Sequence, residues 1–264
     1  MSEFSTASTV KPLGAGRYEV QIDPDWFGVG PHGGFLAATM LRSLSAHVDD
    51  EERHPLSLTC HFLSPLSAGP AVVTVTTERV GRGVTALSAR MAQGDKTGVL
   101  ALATFGVERE GIIDFDSPAP DVPPPDEVDP APVPERRLPI FDRLEYRPCI
   151  GAPPFSGADE ALTGGWSRLQ VREPLDEAAL ALFADAWPPS AWVRLTEPAY
   201  APTIDMTFHF RSRINPGTEW ALVRTRSVTS KHGFWEEDGE LWSPDGTLLA
   251  QSRQLALLRP VPSS

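Results

Sequence analysis

Apolar and polar residues alternate without a fault along Thr203-Ile204-Asp205-Met206-Thr207-Phe208-His209-Phe210-Arg211. Ile204, Met206, Phe208 and Phe210 fall on one face, and Thr203, Asp205, Thr207, His209 and Arg211 on the other. A period of two predicts a half-buried antiparallel strand. Asn215-Pro216-Gly217 turns the chain, and Trp220 to Thr229 reads as a returning strand with Thr225, Ser227 and Thr229 opposite Arg224 and Arg226. A third strand is expected around Gly239 to Trp242. Pro244-Asp245-Gly246 then has hairpin-turn chemistry. The fourth strand, Leu248 to Arg259, lines up Leu248, Ala250, Ser252, Gln254, Ala256 and Leu258 on one side. Gln254 thus stands in a small and apolar row, where a buried amide requires partners.

The earlier half carries the same kind of pattern. Arg17 to Ile22 reads as a short strand leading into Asp25-Trp26-Phe27 and a glycine-rich loop ending His32-Gly33-Gly34. From Gly33 to about Val48 the residues are apolar around most of the circumference, with Arg42 the one charge in the middle, so a helix enclosed on nearly all sides is expected. Strands follow at Leu56–Leu63, Ala71–Val80, Ala86–Gln93 and Gly98–Glu108. A strand, an enclosed helix and an antiparallel meander mean a sheet wrapped round a helix.

Between the halves, Pro118, Pro120, Pro123, Pro124, Pro125, Pro130, Pro132, Pro134 and Pro139 fall among Asp and Glu, a composition that predicts an extended linker. The expected division is a module over residues 1–111, a linker over 112–140 and a second module over 141–264. In the second module Leu144–Arg147 and Gly165–Val171 read as strands. Asp176 to Trp187 reads as a helix with an acidic first turn, stopped by Pro188-Pro189.

Composition narrows the class. At 264 residues with 41% hydrophobic content, the chain is long enough for a substantial core. A net charge of −12 argues against nucleic acid as a general partner. No apolar stretch approaches the roughly 20 residues of a membrane span, and no leader-like start is seen. The two cysteines, Cys60 and Cys149, form neither a disulfide framework nor a metal-ligand spacing. Cytoplasm is the expected compartment, with no metal or bound cofactor.

The halves superpose as an internal repeat. Leu58-Thr59-Cys60-His61-Phe62-Leu63-Ser64 lies over Met206-Thr207-Phe208-His209-Phe210-Arg211-Ser212. In this register Asp205 falls on Ser57 and Ser227 on Arg79. With a slip of one residue, Gln254 falls on Phe105. The second copy therefore holds three polar groups that the first lacks, and it is expected to be the chemical one.

Several of these blocks resemble the acyl-CoA thioesterase II family and related thioesterase-like proteins with a double hotdog fold. They are Thr-Ile-Asp-Met-Thr-Phe-His-Phe (203–210), Glu-Trp-Ala-Leu (219–222) and Asp-Gly-Thr-Leu-Leu-Ala-Gln-Ser-Arg-Gln-Leu-Ala-Leu-Leu-Arg (245–259), together with the helix opened by His32-Gly33-Gly34. The resemblance implies an α+β fold of two fused hotdog modules, each a long helix wrapped by an antiparallel sheet, and hydrolysis of an acyl-CoA thioester to free acid and coenzyme A. It also implies that a strand Asp, a Ser or Thr and a Gln activate the hydrolytic water. Asp205 and Gln254 match those places. Ser227 or Thr229 supplies the hydroxyl, the choice depending on whether Glu236-Glu237-Asp238 is a small insertion. Such a site needs a base for the water and N–H donors for the oxyanion. Gly33 and Gly34, at a helix start, are the favoured donors, and the start of the second helix near Asp176 is the alternative. His32 caps that helix or lines the acyl tunnel, and Arg211 and Arg253 are candidates for the phosphates of coenzyme A. A homodimer is expected. Two other readings remain open: a hotdog enoyl-thioester hydratase, and an acyl-CoA binding protein without turnover.

Overall fold

The computed structural model describes residues 4–132 and 138–261, so Pro134 of the proline-rich segment lies outside the described residues. A single turn, α1 (Phe4–Ala7), precedes the hairpin β1 (Val10–Gly14) and β2 (Arg17–Ile22). Then come α2 (Gly33–Val48), β3 (His54–Phe62), β4 (Gly69–Val80), β5 (Val84–Gln93) and β6 (Lys96–Gly106). The second half runs β7 (Leu144–Gly151), β8 (Ala161–Leu169), α3 (Glu177–Ala186), the short β9 (Ala199–Tyr200), β10 (Thr203–Phe210) and β11 (Ala221–Ser227). It ends with the short β12 (Ser230–Lys231), β13 (Phe234–Trp242), β14 (Leu248–Leu257) and the short β15 (Arg259–Pro260).

The main sheet is antiparallel throughout, in the order β1-β2-β4-β5-β6-β3-β10-β14-β13-β11-β8-β7. The second half repeats the first in reverse across the β3–β10 seam, which is the double hotdog expected. Thr59 lies directly opposite Thr207 at that seam, their hydroxyl oxygens 3.0 Å apart. These are the two residues that the internal comparison superposes, so a local two-fold axis passes between them. Both copies slip register at the same place, between Pro55 and Ser57 in β3 and between Thr203 and Asp205 in β10.

Each helix is sheathed by its own half. Residues Gly34 to Leu41, Ser43 and Leu44 of α2 are buried, as the nearly continuous apolar circumference requires. In α3 the Asp176 side chain accepts from the Ala179 N–H at 2.8 Å, a capping bond that explains the acidic start. The two helices touch where α2 begins and α3 ends. A Cβ at Gly34 would lie 2.8 Å from the Leu182 carbonyl oxygen and 2.9 Å from the Asp185 Cβ, so only glycine permits this approach. Gly34→Ala is accordingly expected to lower stability by about 1–3 kcal/mol, as overpacking against backbone does. A urea midpoint unchanged from wild type would show that the helices can separate without cost.

One expectation is corrected. The proline-rich segment forms no ladder, but it is not a free linker. Ala119, Val122 and Val128 pack against Trp166, Trp220 and Trp242. The Trp166 indole donates to the Pro123 carbonyl at 2.9 Å, and Arg147 donates to the carbonyls of Pro125 and Val128. Prolines cannot donate, but their carbonyls accept, so the segment straps onto the sheet through side chains. Glu236-Glu237-Asp238 is part of the sheet. It lies inside β13, where Glu237 pairs with Gln254 of β14.

Candidate active site

Strand register decides which polar residues meet. Across β10 and β14, Met206 faces Gln254, and Asp205 faces Leu255 and, on its other side, His61 of β3. Met206 and Gln254 are buried at 1% and 6% exposure, while Leu255 is at 37%. Because neighbouring positions in a strand point to opposite faces, Asp205 stands on the outer row and Gln254 on the inner one. The expected meeting of Asp205 with Gln254 does not occur. Ser227 lies at the end of β11, bonded to the Thr229 carbonyl at 3.4 Å, and Thr229 is exposed. Neither hydroxyl reaches Gln254. Arg211 and Arg253 lie on the outer sheet face, the first donating to Gln251 and the second to Asp238.

A different set surrounds Gln254. Its Oε1 accepts from the Thr203 hydroxyl at 2.8 Å, and that hydroxyl is 3.5 Å from Asp185 Oδ1. Strict alternation puts Thr203 on the outer row with Asp205. The register slip after Thr203 turns it inward instead. Asp185 belongs to the last turn of α3, where the dipole of its own helix disfavours a carboxylate. The start of α2 compensates, since the Gly34 N–H donates to Asp185 Oδ2 at 2.6 Å. The Tyr146 hydroxyl fixes the same helix end by donating to the Ala186 carbonyl at 2.9 Å. Gly34 is thus a donor to the carboxylate and not to an oxyanion, which corrects that assignment.

His32 caps α2, its Nδ1 3.2 Å from the Gly34 nitrogen and 3.4 Å from Asp185 Oδ2. Burial lowers the His32 pKa, against the opposing pull of Asp185. It also lines the groove.

Asp185, Thr203 and Gln254 lie along a groove of about 440 Å³. Its walls include Leu36, Phe62, Phe141, Trp187, Trp192 and Trp235, and among the described residues no lysine or arginine lines it. The larger groove on the outer sheet face, about 780 Å³, is lined by Arg211, Arg224, Arg226 and Arg253 and lies away from this set. Among the described residues no group of His, Cys, Asp and Glu is placed to hold a metal ion, and no helix is long and apolar enough to cross a membrane.

The sequence held signals for the residues it did not single out. Asp185 is an acid in the last turn of an otherwise apolar helix, just before Pro188-Pro189, which is the wrong end for a helix dipole. Glu237 alternates in step with Trp235 and Leu241 once β13 is extended back to Phe234. Thr203 gave no signal, because a bulge is invisible to periodicity.

A carboxylate, a hydroxyl and an amide along an apolar groove have the chemistry to hold a water molecule. The chain is 24% identical over 330 aligned residues to the thioesterase-like protein TwmA of Talaromyces wortmannii, covering 98% of this chain and 92% of that protein. A hot dog fold protein of unknown function from Alicyclobacillus acidocaldarius superposes with a TM-score of 0.89 at 31% identity, covering 98% of each chain. The acyl-CoA thioesterase II TesB2 of Mycobacterium marinum shares the fold at 22% identity, with a TM-score of 0.78 over 99% of each chain. Residues 22–106 match the acyl-CoA thioesterase N-terminal domain and residues 121–258 the C-terminal domain, so the chain belongs to the acyl-CoA thioesterase family.

Proposed function

We propose that the chain hydrolyses an acyl-CoA thioester to a free acid and coenzyme A, with Asp185, Thr203 and Gln254 holding the attacking water. The observation that carries this reading is the Thr203 hydroxyl, set between Asp185 Oδ1 and Gln254 Oε1 at the apolar groove. Asp185 Oδ2 is occupied by Gly34, which leaves Oδ1 to accept a proton. A water donating one hydrogen to Asp185 and the other to Gln254 Oε1 keeps a lone pair for the carbonyl carbon. As its oxygen bonds to that carbon, the proton passes to Asp185. The tetrahedral intermediate then collapses, the C–S bond breaks, and the thiolate leaves and is reprotonated. The first turn of α2 has N–H groups beyond Gly34 without intrahelical partners, and Gly33 is the one we assign to the oxyanion.

The apolar walls receive the acyl chain. Arg211 and Arg253 line the outer groove, away from Asp185, Thr203 and Gln254, which moves them out of the substrate contacts.

The test is release of free thiol from short, long, branched and aromatic acyl-CoAs. Turnover of at least one class is expected, and Thr203→Val is expected to lower it by about tenfold, the worth of one hydrogen bond. Saturable binding of an acyl-CoA with no release from any class would favour the binding-protein reading instead.

A further inference from the structure

The bonds that hold Gln254 continue past the groove. Its Nε2 donates to Glu237 Oε1 at 2.9 Å, and Glu237 Oε2 accepts from the Ser190 backbone N–H at 2.6 Å. Glu237 is 3% exposed and does not line the groove. The repeat makes this carboxylate conspicuous. Leu87 pairs with Ala103 where Glu237 pairs with Gln254, and Pro55 pairs with Phe105 where Thr203 pairs with Ala256. The first copy thus packs Leu87, Ala103 and Pro55 at the three positions where the second has Glu237, Gln254 and Thr203. The same fold closes without the carboxylate, and burying one is costly. By this register the counterpart of Gln254 is Ala103, not the expected Phe105.

We propose that Glu237 is a positioning residue whose proton decides which end of the Gln254 amide faces Thr203 and Asp185. This rests on the assignment of the water to Asp185, Thr203 and Gln254. An ionised carboxylate only accepts, so Glu237 without its proton draws the amide Nε2 toward itself and turns Oε1 to Thr203, the arrangement observed. Because Oε2 is held by the Ser190 N–H, an added proton goes to Oε1. That hydroxyl donates to the amide oxygen of Gln254 and stabilises the rotated amide. Nε2 then faces Thr203 and Asp185, removing the acceptor that orients the water and offering a donor to its lone pair.

The groups facing Glu237 are few. They are the Gln254 amide from β14, the Ser190 backbone N–H and hydroxyl from the turn after α3, and Asp185 at the end of α3, with His32 behind it. The neighbouring Glu236 and Asp238 engage Arg253. Burial first, and the Asp185 charge with it, push Glu237 up to about 7 against the pull of its hydrogen bonds. The exchange therefore falls in the neutral range.

Two measurements on the full chain test this. The first is the pH profile of kcat for wild type and Glu237→Gln. A glutamine that keeps its oxygen on the Ser190 N–H presents NH2 to Gln254 and locks the rotated amide at every pH. Wild type is expected to lose activity as pH falls through about 7. Glu237→Gln is expected to run about tenfold slower than wild type at alkaline pH and to lack that limb. The second is the Gln254 side-chain amide resonance in 15N-labelled protein, assigned by its loss in Gln254→Ala. It should titrate near neutrality in wild type and stay fixed in Glu237→Gln. A Glu237→Gln profile matching wild type, or an amide that does not titrate in wild type, overturns the inference and leaves the hydrolase reading standing. An amide that titrates in a chain releasing no thiol from any acyl-CoA supports the Glu237–Gln254 coupling while removing the hydrolase reading.

Discussion

Asp185→Asn is expected to lower thiol release by about 10²-fold or more while leaving the fold intact, as loss of a positioned general base does. An asparagine side chain keeps an oxygen to accept from the Gly34 N–H, the bond that ties the end of α3 to the start of α2. What changes is the other position. The NH2 group that replaces Oδ1 faces Thr203 and accepts no proton. Asp205→Asn is the control. Asp205 sits on the outer row between Leu255 and His61, and its substitution is expected to change turnover less than about twofold, as surface changes away from special features do. Thiol release and a melting curve recorded for both variants decide the matter. An inactive Asp205→Asn beside an active Asp185→Asn would reverse the assignment.

The second large effect is on stability. Burial raises Glu237 from an ordinary 4.5 to about 7. Between those values the native state keeps a proton that the unfolded chain has released, so unfolding free energy falls as pH rises across the window. The contribution is complete below 4.5 and is lost as pH rises through about 7. The span corresponds to roughly 3 kcal/mol. His32 works in the opposite sense, because its lowered pKa makes the unfolded chain the one that binds the proton, and stability from it grows as pH rises. Denaturant unfolding of wild type and Glu237→Gln at pH values near 5 and 8 separates the two. The variant should gain on wild type toward alkaline pH, and a constant difference would show that Glu237 titrates alike in both states.

How far the sequence reached differs from element to element. The α2 bounds, Gly33 to Val48, were legible because sixteen residues with one charge among them leave no polar face. The alternation of β10 and β14 set their inner rows, while the pairing of the superposed Thr59 and Thr207 at the seam came only with the structure. The choice of Gln254 followed from its apolar neighbours, and its burial agrees. Asp205 was chosen from the repeat register and the family resemblance, and the slip between Thr203 and Asp205 puts these two on opposite faces of the sheet, with only Thr203 beside Gln254.

The sequence by itself determined a duplicated antiparallel architecture around two apolar helices, an acidic chain, and an amide that had to be satisfied inside the second copy. These follow from periodicity and composition, which act over a few residues. Only the tertiary structure decided what satisfies that amide. Asp185 arrives from a helix end, Thr203 through a bulge and Glu237 from the neighbouring strand, and contacts between residues 17 to 51 positions apart leave no local pattern to read.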